Sequence, residues 1–210
     1  MMIVKLMNDS VIPEIPIYID GMVWDITAIY TAYPEFLNRS VRNQIFNKKQ
    51  NPFLHPSISR VGSHRERKQI IEEGDPCVIL ATSGMLVGGP SVEYLKGLGE
   101  DKRNSLIFSC YQGEGSLGRR IQQGERRIMF REGQKEQVVN LNLDISRIEV
   151  SGHADRKELM DFVGSMKPRP NRIMINHGDK NRSLNLSSAL YKRYHMRTQV
   201  PRNLDCLRLK

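Results

Sequence analysis

Short apolar runs, each closed by small, polar or acidic residues, alternate along this chain with stretches in helical spacing. Pro16-Ile17-Tyr18-Ile19 predicts a strand ending at Asp20-Gly21. A helical stretch from Asp25 to Phe46 follows, broken near Pro34, since proline lacks the amide hydrogen that a helix interior needs. Asn47 to Gly62, polar and carrying Pro52 and Pro56, reads as a surface excursion, and Glu66 to Glu73 as a short amphipathic helix. The run Cys77-Val78-Ile79-Leu80-Ala81 predicts a strand covered on both faces. After the glycine-rich loop Thr82 to Pro90, Ser91 is the expected N-cap of a helix through Leu98.

The same alternation continues. Ser105 to Tyr111 predicts a strand, Gln112 to Gly115 a loop, and Ser116 to Gln123 a helix. Arg127 to Phe130 and Glu136 to Asn142 predict paired strands around Glu132-Gly133, and Ile145 to Val150 leads into the loop holding His153. Asp155 and Glu158 have the spacing of a capping box. Leu159, Phe162, Val163 and Met166 are expected on the inner face of the helix that follows. Arg172 to Asn176 predicts a buried strand, Ser183 to Tyr194 the last helix, and Thr198 to Val200 and Leu204 to Leu209 closing strands. Strands alternating with helices argue an α/β class.

Composition narrows this picture. Of 210 residues, 39% are hydrophobic and 26% charged, which allows a packed core. The apolar runs are too short to span a bilayer, and no signal peptide is visible at the start, so a cytoplasmic protein with no membrane partner is expected. Cys77, Cys110 and Cys206 are odd in number and widely spaced, and read as reduced, buried thiols. A net charge of +9 favours an anionic partner, nucleic acid before membrane. Arg119, Arg120, Arg126, Arg127 and Arg131 read either as a phosphate-facing patch or as a solvated surface.

Candidate chemistry gathers at two loops. Ser151-Gly152-His153 precedes the capped helix at Asp155, where a hydroxyl, freed amides and an imidazole meet the positive end of a helix dipole. That set suits a phosphate oxygen, and a protonated histidine that gives its proton to a leaving alkoxide. Asp155 reads as an N-cap that also supports the ring. His177, after Ile173-Met174-Ile175-Asn176 and before Gly178-Asp179, reads as a zinc ligand or as a plain loop histidine. Zinc needs three or four ligands, and the sequence holds no H-x-H-x-D-H, H-E-x-x-H or C-x-x-C cluster. His55, His64 and His195 read as surface histidines. Gly113-x-Gly115-x-x-Gly118 superficially matches a dinucleotide fingerprint, but a hairpin stands where the crossover strand should be.

Taken together, "ATSGMLVGGPSVEYLKGLGEDKRNSLIFSCYQGEGSLGRRIQQGER", "VSGHADRKELMDFV" and "INHGD" resemble the β-CASP branch of the metallo-β-lactamase superfamily. Within it, the likeness is to archaeal homologues of the cleavage and polyadenylation specificity factor nuclease. "IPEIPIYIDGMVWDITAIYTAYPEFL" and "TQVPRNLDCLRL" extend it over nearly the whole chain. The resemblance implies a zinc-dependent, RNA-cleaving phosphodiesterase that uses two metal ions. It puts His153 on the motif that protonates or orients the leaving group, and His177 on a zinc ligand. Ser151 and Gly152 fall on the loop that holds an RNA phosphate. Ser83 and Gly84, with Arg119 and Arg120, fall in a cap that closes over RNA.

The resemblance also implies a layout. Residues 1–124 correspond to part of a β-CASP cap, and residues 125–210 to the C-terminal half of a metallo-β-lactamase αββα sandwich. The family's H-x-H-x-D-H cluster and motif A acid are missing, so the chain is expected to be the C-terminal portion of a longer enzyme and inactive alone. An N-terminal half supplied separately, or a homodimer through Val200 to Lys210, are the expected partners besides RNA. Rival readings are a non-catalytic RNA-binding or assembly subunit, a nucleotide-dependent oxidoreductase built on the Gly113 loop, and a small-molecule lactam hydrolase.

Overall fold

The computed structural model describes residues 2–133, 135–148, 150 and 152–208. The chain divides into two compact units, Met1–Val150 and Ser151–Lys210.

The first unit opens with α1 (Met2–Asn8), whose Val4 and Met7, three residues apart, face the same way and are buried. They pack on Ile17 and Ile19 of β1 (Ile17–Asp20). No element is expected from the sequence at α1. Seven residues are too few to display helical periodicity, and packing on β1 supplies what an isolated helix of that length lacks. Beyond Gly21 come α2 (Met22–Ala32), a 3-10 turn at Pro34–Phe36, and α3 (Arg39–Phe46). The break expected near Pro34 is there. Asn38 caps α3 by accepting the Val41 amide hydrogen at 3.0 Å.

The expected surface excursion is corrected next. It contains β2 (Ile58–Val61), which pairs parallel with β1 from Ile17↔Ile58 to Asp20↔Val61. Ser63 caps α4 (His64–Glu73), and Gly74 ends it in the left-handed region at φ 65. β3 (Val78–Ala81) pairs parallel with the other side of β1, giving the order β2-β1-β3. β3 is therefore an edge strand with Leu80 exposed, not the doubly covered strand its apolar run predicts.

α5 (Pro90–Leu98) is capped by Gly89, with Pro90 in its first turn. Ser91 is not the cap: its hydroxyl donates to the Ser83 carbonyl at 2.7 Å. β4 (Ser105–Phe108) is shorter than expected and leads to α6 (Leu117–Gln122), capped by Ser116. The hairpin of β5 (Arg127–Glu132) and β6 (Lys135–Asn140) forms as read, and β7 (Asp144–Arg147) pairs parallel with β4. Leu86, Leu95, Phe108, Ile121, Ile128, Val139, Leu141 and Leu143 make the main core of this unit. It ties the loop of residues 82–90 to α5, α6, the hairpin and β4.

The second unit holds α7 (Arg156–Ser165), β8 (Arg172–Met174), α8 (Lys180–Tyr194) and β9 (Arg197–Gln199), with β8 and β9 parallel. The capping box on α7 is complete: Glu158 donates its amide hydrogen to Asp155 Oδ1 at 2.8 Å, and Asp155 donates its own to Glu158 Oε2 at 2.8 Å. The inner face of α7 is Met160 and Val163, packed with Leu190 and Met196. Leu159 and Phe162, expected inside, are exposed. β8 is likewise not buried, since Arg172 and Met174 face solvent in a two-stranded sheet. Residues 204–208 form no strand; Leu204 is fully exposed at φ 71, and Leu209 lies outside the described residues.

Candidate functional site

Both histidine loops fall in the second unit, and each opens a helix. His153 is exposed, two residues ahead of the Asp155 cap of α7. His177 is exposed between β8 and the Asp179 cap of α8. Its backbone lies in the left-handed region at φ 64, where a non-glycine residue is strained, and its amide hydrogen is donated to Asn176 Oδ1 at 2.7 Å. Gly178 follows because a Cβ there would stand 2.8 Å from the Ser183 hydroxyl oxygen. Gly152 is exposed, with no atom within 4 Å of a Cβ placed on it, so its backbone is open to a ligand. Ser151 lies outside the described residues.

Zinc fits poorly on these residues alone. Among the described residues no three His, Cys, Asp or Glu side chains stand close enough together to hold a metal ion. His177 by itself supplies one ligand where three or four are required.

In the first unit, the two glycine-rich loops singled out in the sequence meet through a residue that sequence reasoning missed. Gln112, 2% exposed, donates Nε2 to the Gly84 carbonyl at 2.8 Å and to the Cys110 carbonyl at 3.2 Å. Its Oε1 is buried without a partner and lies against Gly118, where a Cβ would overlap it. Gly118 in turn donates its amide hydrogen to the Met85 carbonyl at 3.2 Å. Ser83 accepts the Val87 amide hydrogen on Oγ at 3.3 Å, so Ser83 and Gly84 are both used inside the loop. A lone glutamine in a loop carries no sequence signal for such a role.

A second missed cluster closes the end of β1. The Asp20 carboxylate, 2% exposed, accepts from Arg67 Nε at 2.8 Å, Arg67 Nη2 at 3.1 Å and the Tyr94 hydroxyl at 3.0 Å. Burial, and then the Asp20 charge, push the Tyr94 phenol well above its ordinary range. The hydrogen bond to Asp20 holds the Arg67 guanidinium still more firmly protonated. Such an arrangement anchors rather than reacts, because the Asp20 carboxylate is held by three donors from α4 and α5.

The arginine-rich stretch divides by partner. Arg120 forks onto Glu125 at 2.6 and 2.7 Å, and Arg131 pairs with Glu136 at 2.9 Å. Arg126 donates to the Ile121 carbonyl at 3.0 Å. Arg119, half-buried, lines a cleft with Arg147. The thiols are free as expected but not buried: Cys110 and Cys206 are exposed and Cys77 half-buried, its pKa raised by burial. His64 and His195 are exposed, whereas His55 is half-buried and accepts the Ser57 amide hydrogen on Nδ1. Among the described residues no helix is long and apolar enough to cross a membrane.

Comparison with known proteins places these features. Residues 1–121 match the Beta-Casp domain, and residues 138–201 match the Zn-dependent metallo-hydrolase RNA specificity domain. The chain is 51% identical over 199 residues to the transcription termination factor FttA of Thermococcus kodakarensis, a match covering 94% of this chain and 31% of that protein. The FttA proteins of Pyrococcus horikoshii and Methanocaldococcus jannaschii are each 48% identical, over 94% and 93% of this chain and 31% of each relative. The chain thus spans about a third of the length of these curated relatives. The α/β architecture and the expected kinship agree with both domain matches.

Proposed function

The chain belongs to the Beta-Casp domain family, and from that premise we propose that it is the C-terminal portion of a zinc-dependent phosphodiesterase that cleaves RNA endonucleolytically during 3′-end formation. The observation that carries this is the pair of exposed histidines, His153 and His177, each set just ahead of a helix within the segment matching the RNA specificity domain. Transcription termination, the role in the names of the FttA relatives, is the cellular setting proposed for the whole protein.

The Gly152 backbone and the first turn of α7 receive a phosphate oxygen at the positive end of the helix. His153, as imidazolium, gives its proton to the RNA oxygen that leaves phosphorus. Asp155 is engaged by the helix amides and acts by holding the turn that carries His153. His177 is proposed as one ligand of a two-zinc centre whose other ligands come from outside this chain. The residues present do not form that centre, and no chemical step is assigned to it. Residues 1–124 are proposed as cap and 125–210 as the metallo-hydrolase part, in a cytoplasmic protein. RNA is the partner, with Ser83, Gly84, Arg119 and Arg120 on the cap side and Ser151 beside Gly152. An N-terminal portion completes the site. A homodimer contact through residues 200–210 belongs to the same proposal.

The lack of a three-ligand cluster among the described residues favours a second reading for the chain by itself, a non-catalytic RNA-binding or assembly subunit. One experiment bears on both. In the complete protein, His153→Ala should lower RNA cleavage by about two to four orders of magnitude while RNA affinity is retained. Cleavage at the unaltered rate overturns the proton-donor assignment. A complete protein that binds RNA but never cleaves it establishes the second reading.

A further inference from the structure

Between Glu35 and Glu66 the sequence holds no aspartate or glutamate, while Arg39, Arg42, Lys48, Lys49, Arg60 and Arg65 bring six positive charges. All six side chains are exposed. The chain's net charge of +9 is therefore concentrated in this stretch rather than spread over the surface. Among the described residues, Arg39, Arg42, Lys48 and Lys49 join no ion pair, whereas Lys68, Arg103, Arg120 and Arg131 each do.

Aromatic rings lie bare among these cations. Tyr33 and Phe36, in the turn joining α2 to α3, are exposed, Phe36 by 83%, and so is Phe46 at the end of α3. Arg39, Arg42 and Phe46 share one face of α3 by their spacing, opposite the buried Val41. The segment after α3 folds back on α2, where Phe53 meets Tyr30 with ring centroids 5.6 Å apart. Further along, the Arg60 guanidinium of β2 stands 5.7 Å from the centre of the Trp24 ring. Cations and rings thus alternate over one surface. An apolar partner would cover the rings and strand the charges. A strand of unpaired nucleotides satisfies both, since its phosphates neutralise the cations and each base has a face that stacks on an aromatic ring. In duplex RNA those faces are already stacked.

We propose that the α2–α3 surface is a docking face for single-stranded RNA, with Arg39, Arg42, Lys48 and Lys49 on phosphates and Tyr33, Phe36 and Phe46 stacking on bases. The proposal rests on the RNA-cleaving reading and deepens it with a hold on the strand that uses none of the residues named there. Binding through phosphates and ring faces is tolerant of base sequence.

The test uses the 210-residue chain and a fluorescein-labelled oligouridine, with affinity read by anisotropy over a salt series. Arg39→Gln combined with Arg42→Gln should weaken binding about tenfold and make log K shallower against log salt by about 1.4, the share of two phosphate contacts on a single strand. Phe36→Ser should weaken binding about fivefold or more with the salt slope unchanged. Lys68→Ala, an exposed control on α4, should do neither. The second measurement needs no variant: RNA carrying 4-thiouridine should crosslink to residues 33–53 of the unaltered chain. Wild-type affinity and slope in the arginine variant, or crosslinks only elsewhere, overturn the docking face and leave the nuclease reading standing. Equal competition by an unlabelled RNA duplex overturns it as well. So does a dimer lost in Phe36→Ser by sedimentation with RNA affinity unchanged, which assigns the rings to a second copy of the chain. An unaltered chain with no RNA affinity at low salt overturns the docking face, whereas the His153 experiment on the complete protein decides the nuclease reading by itself.

Discussion

Arg67 grips Asp20 through two near-parallel hydrogen bonds, at 2.8 and 3.1 Å, and so ties α4 to the end of the central strand β1. Both side chains are largely shielded from water, and Tyr94 brings α5 to the same carboxylate. Asp20→Asn would leave the guanidinium buried without its counter-charge, a change that costs about 3–5 kcal/mol. Urea denaturation should show that loss. A midpoint within experimental error of the unaltered chain would mean that the pair is not a structural anchor.

Tyr94 makes the same cluster sensitive to alkali. Its phenol is raised by burial and by Asp20, so the folded chain keeps the proton that the unfolded chain releases near the ordinary value of about 10. The folded state then binds more protons than the unfolded one above that value, and stability falls as pH rises. The contribution is complete below pH about 10 and is lost through the raised value above it. Tyr94→Phe should cost about 1.5–3 kcal/mol at neutral pH, through the lost hydrogen bond to a charged group, and should remove part of the alkaline decline. Unfolding free energies measured from pH 8 upward, with the same slope in both proteins, would contradict this.

Gly118 and Gln112 should behave as a coupled pair. A methyl group on Gly118 meets Gln112 Oε1, so Gly118→Ala should destabilise by about 1–3 kcal/mol through overpacking. In a Gln112→Ala background only the Phe108 ring, 3.0 Å away, still crowds the same methyl, and its cost should fall. Strict additivity in the double-mutant cycle would show that the two loops are not joined through this glutamine.

His177 separates backbone from side-chain effects. Asparagine tolerates the left-handed region, so His177→Asn should preserve the loop, whereas His177→Val should destabilise the second unit by about 1–2 kcal/mol. Hydrogen exchange over residues 172–199 reads the difference. In the complete protein, both substitutions should lower bound zinc if the imidazole is a ligand. Unchanged zinc in both would remove that role.

What could be read from the sequence was mostly local. The capping box at Asp155 and Glu158, the break at Pro34 and the Arg127–Asn140 hairpin depend on neighbours within a few residues, and all three stand in the structure. β2 escaped because Ile58-Ser59-Arg60-Val61 has two polar residues in four and gains its partner only from a strand some forty residues earlier. The inner face of α7 was misplaced because Leu159, Met160, Phe162 and Val163 allow two rotations, and only packing with Leu190 and Met196 selects one. The loop before α7 was legible because that helix carries a capping box, whereas α8 starts at Lys180, three residues ahead of the Ser183 read from the sequence, its Asp179 cap making no side-chain hydrogen bond. Gln112, Arg67 and Tyr94 were not legible, because their roles arise from partners distant in sequence.

The helix after β1 has one more consequence. Not one residue of α2 is buried, and Met22, Ile26, Ile29, Tyr30 and Tyr33 all face water, with Phe36 83% exposed just beyond. A rod of that character sheds water onto whatever greasy surface it first encounters. Laboratory handling of the purified chain will therefore be governed by this rod: dilute, cold and mildly detergent-treated samples should stay clear where concentrated ones cloud.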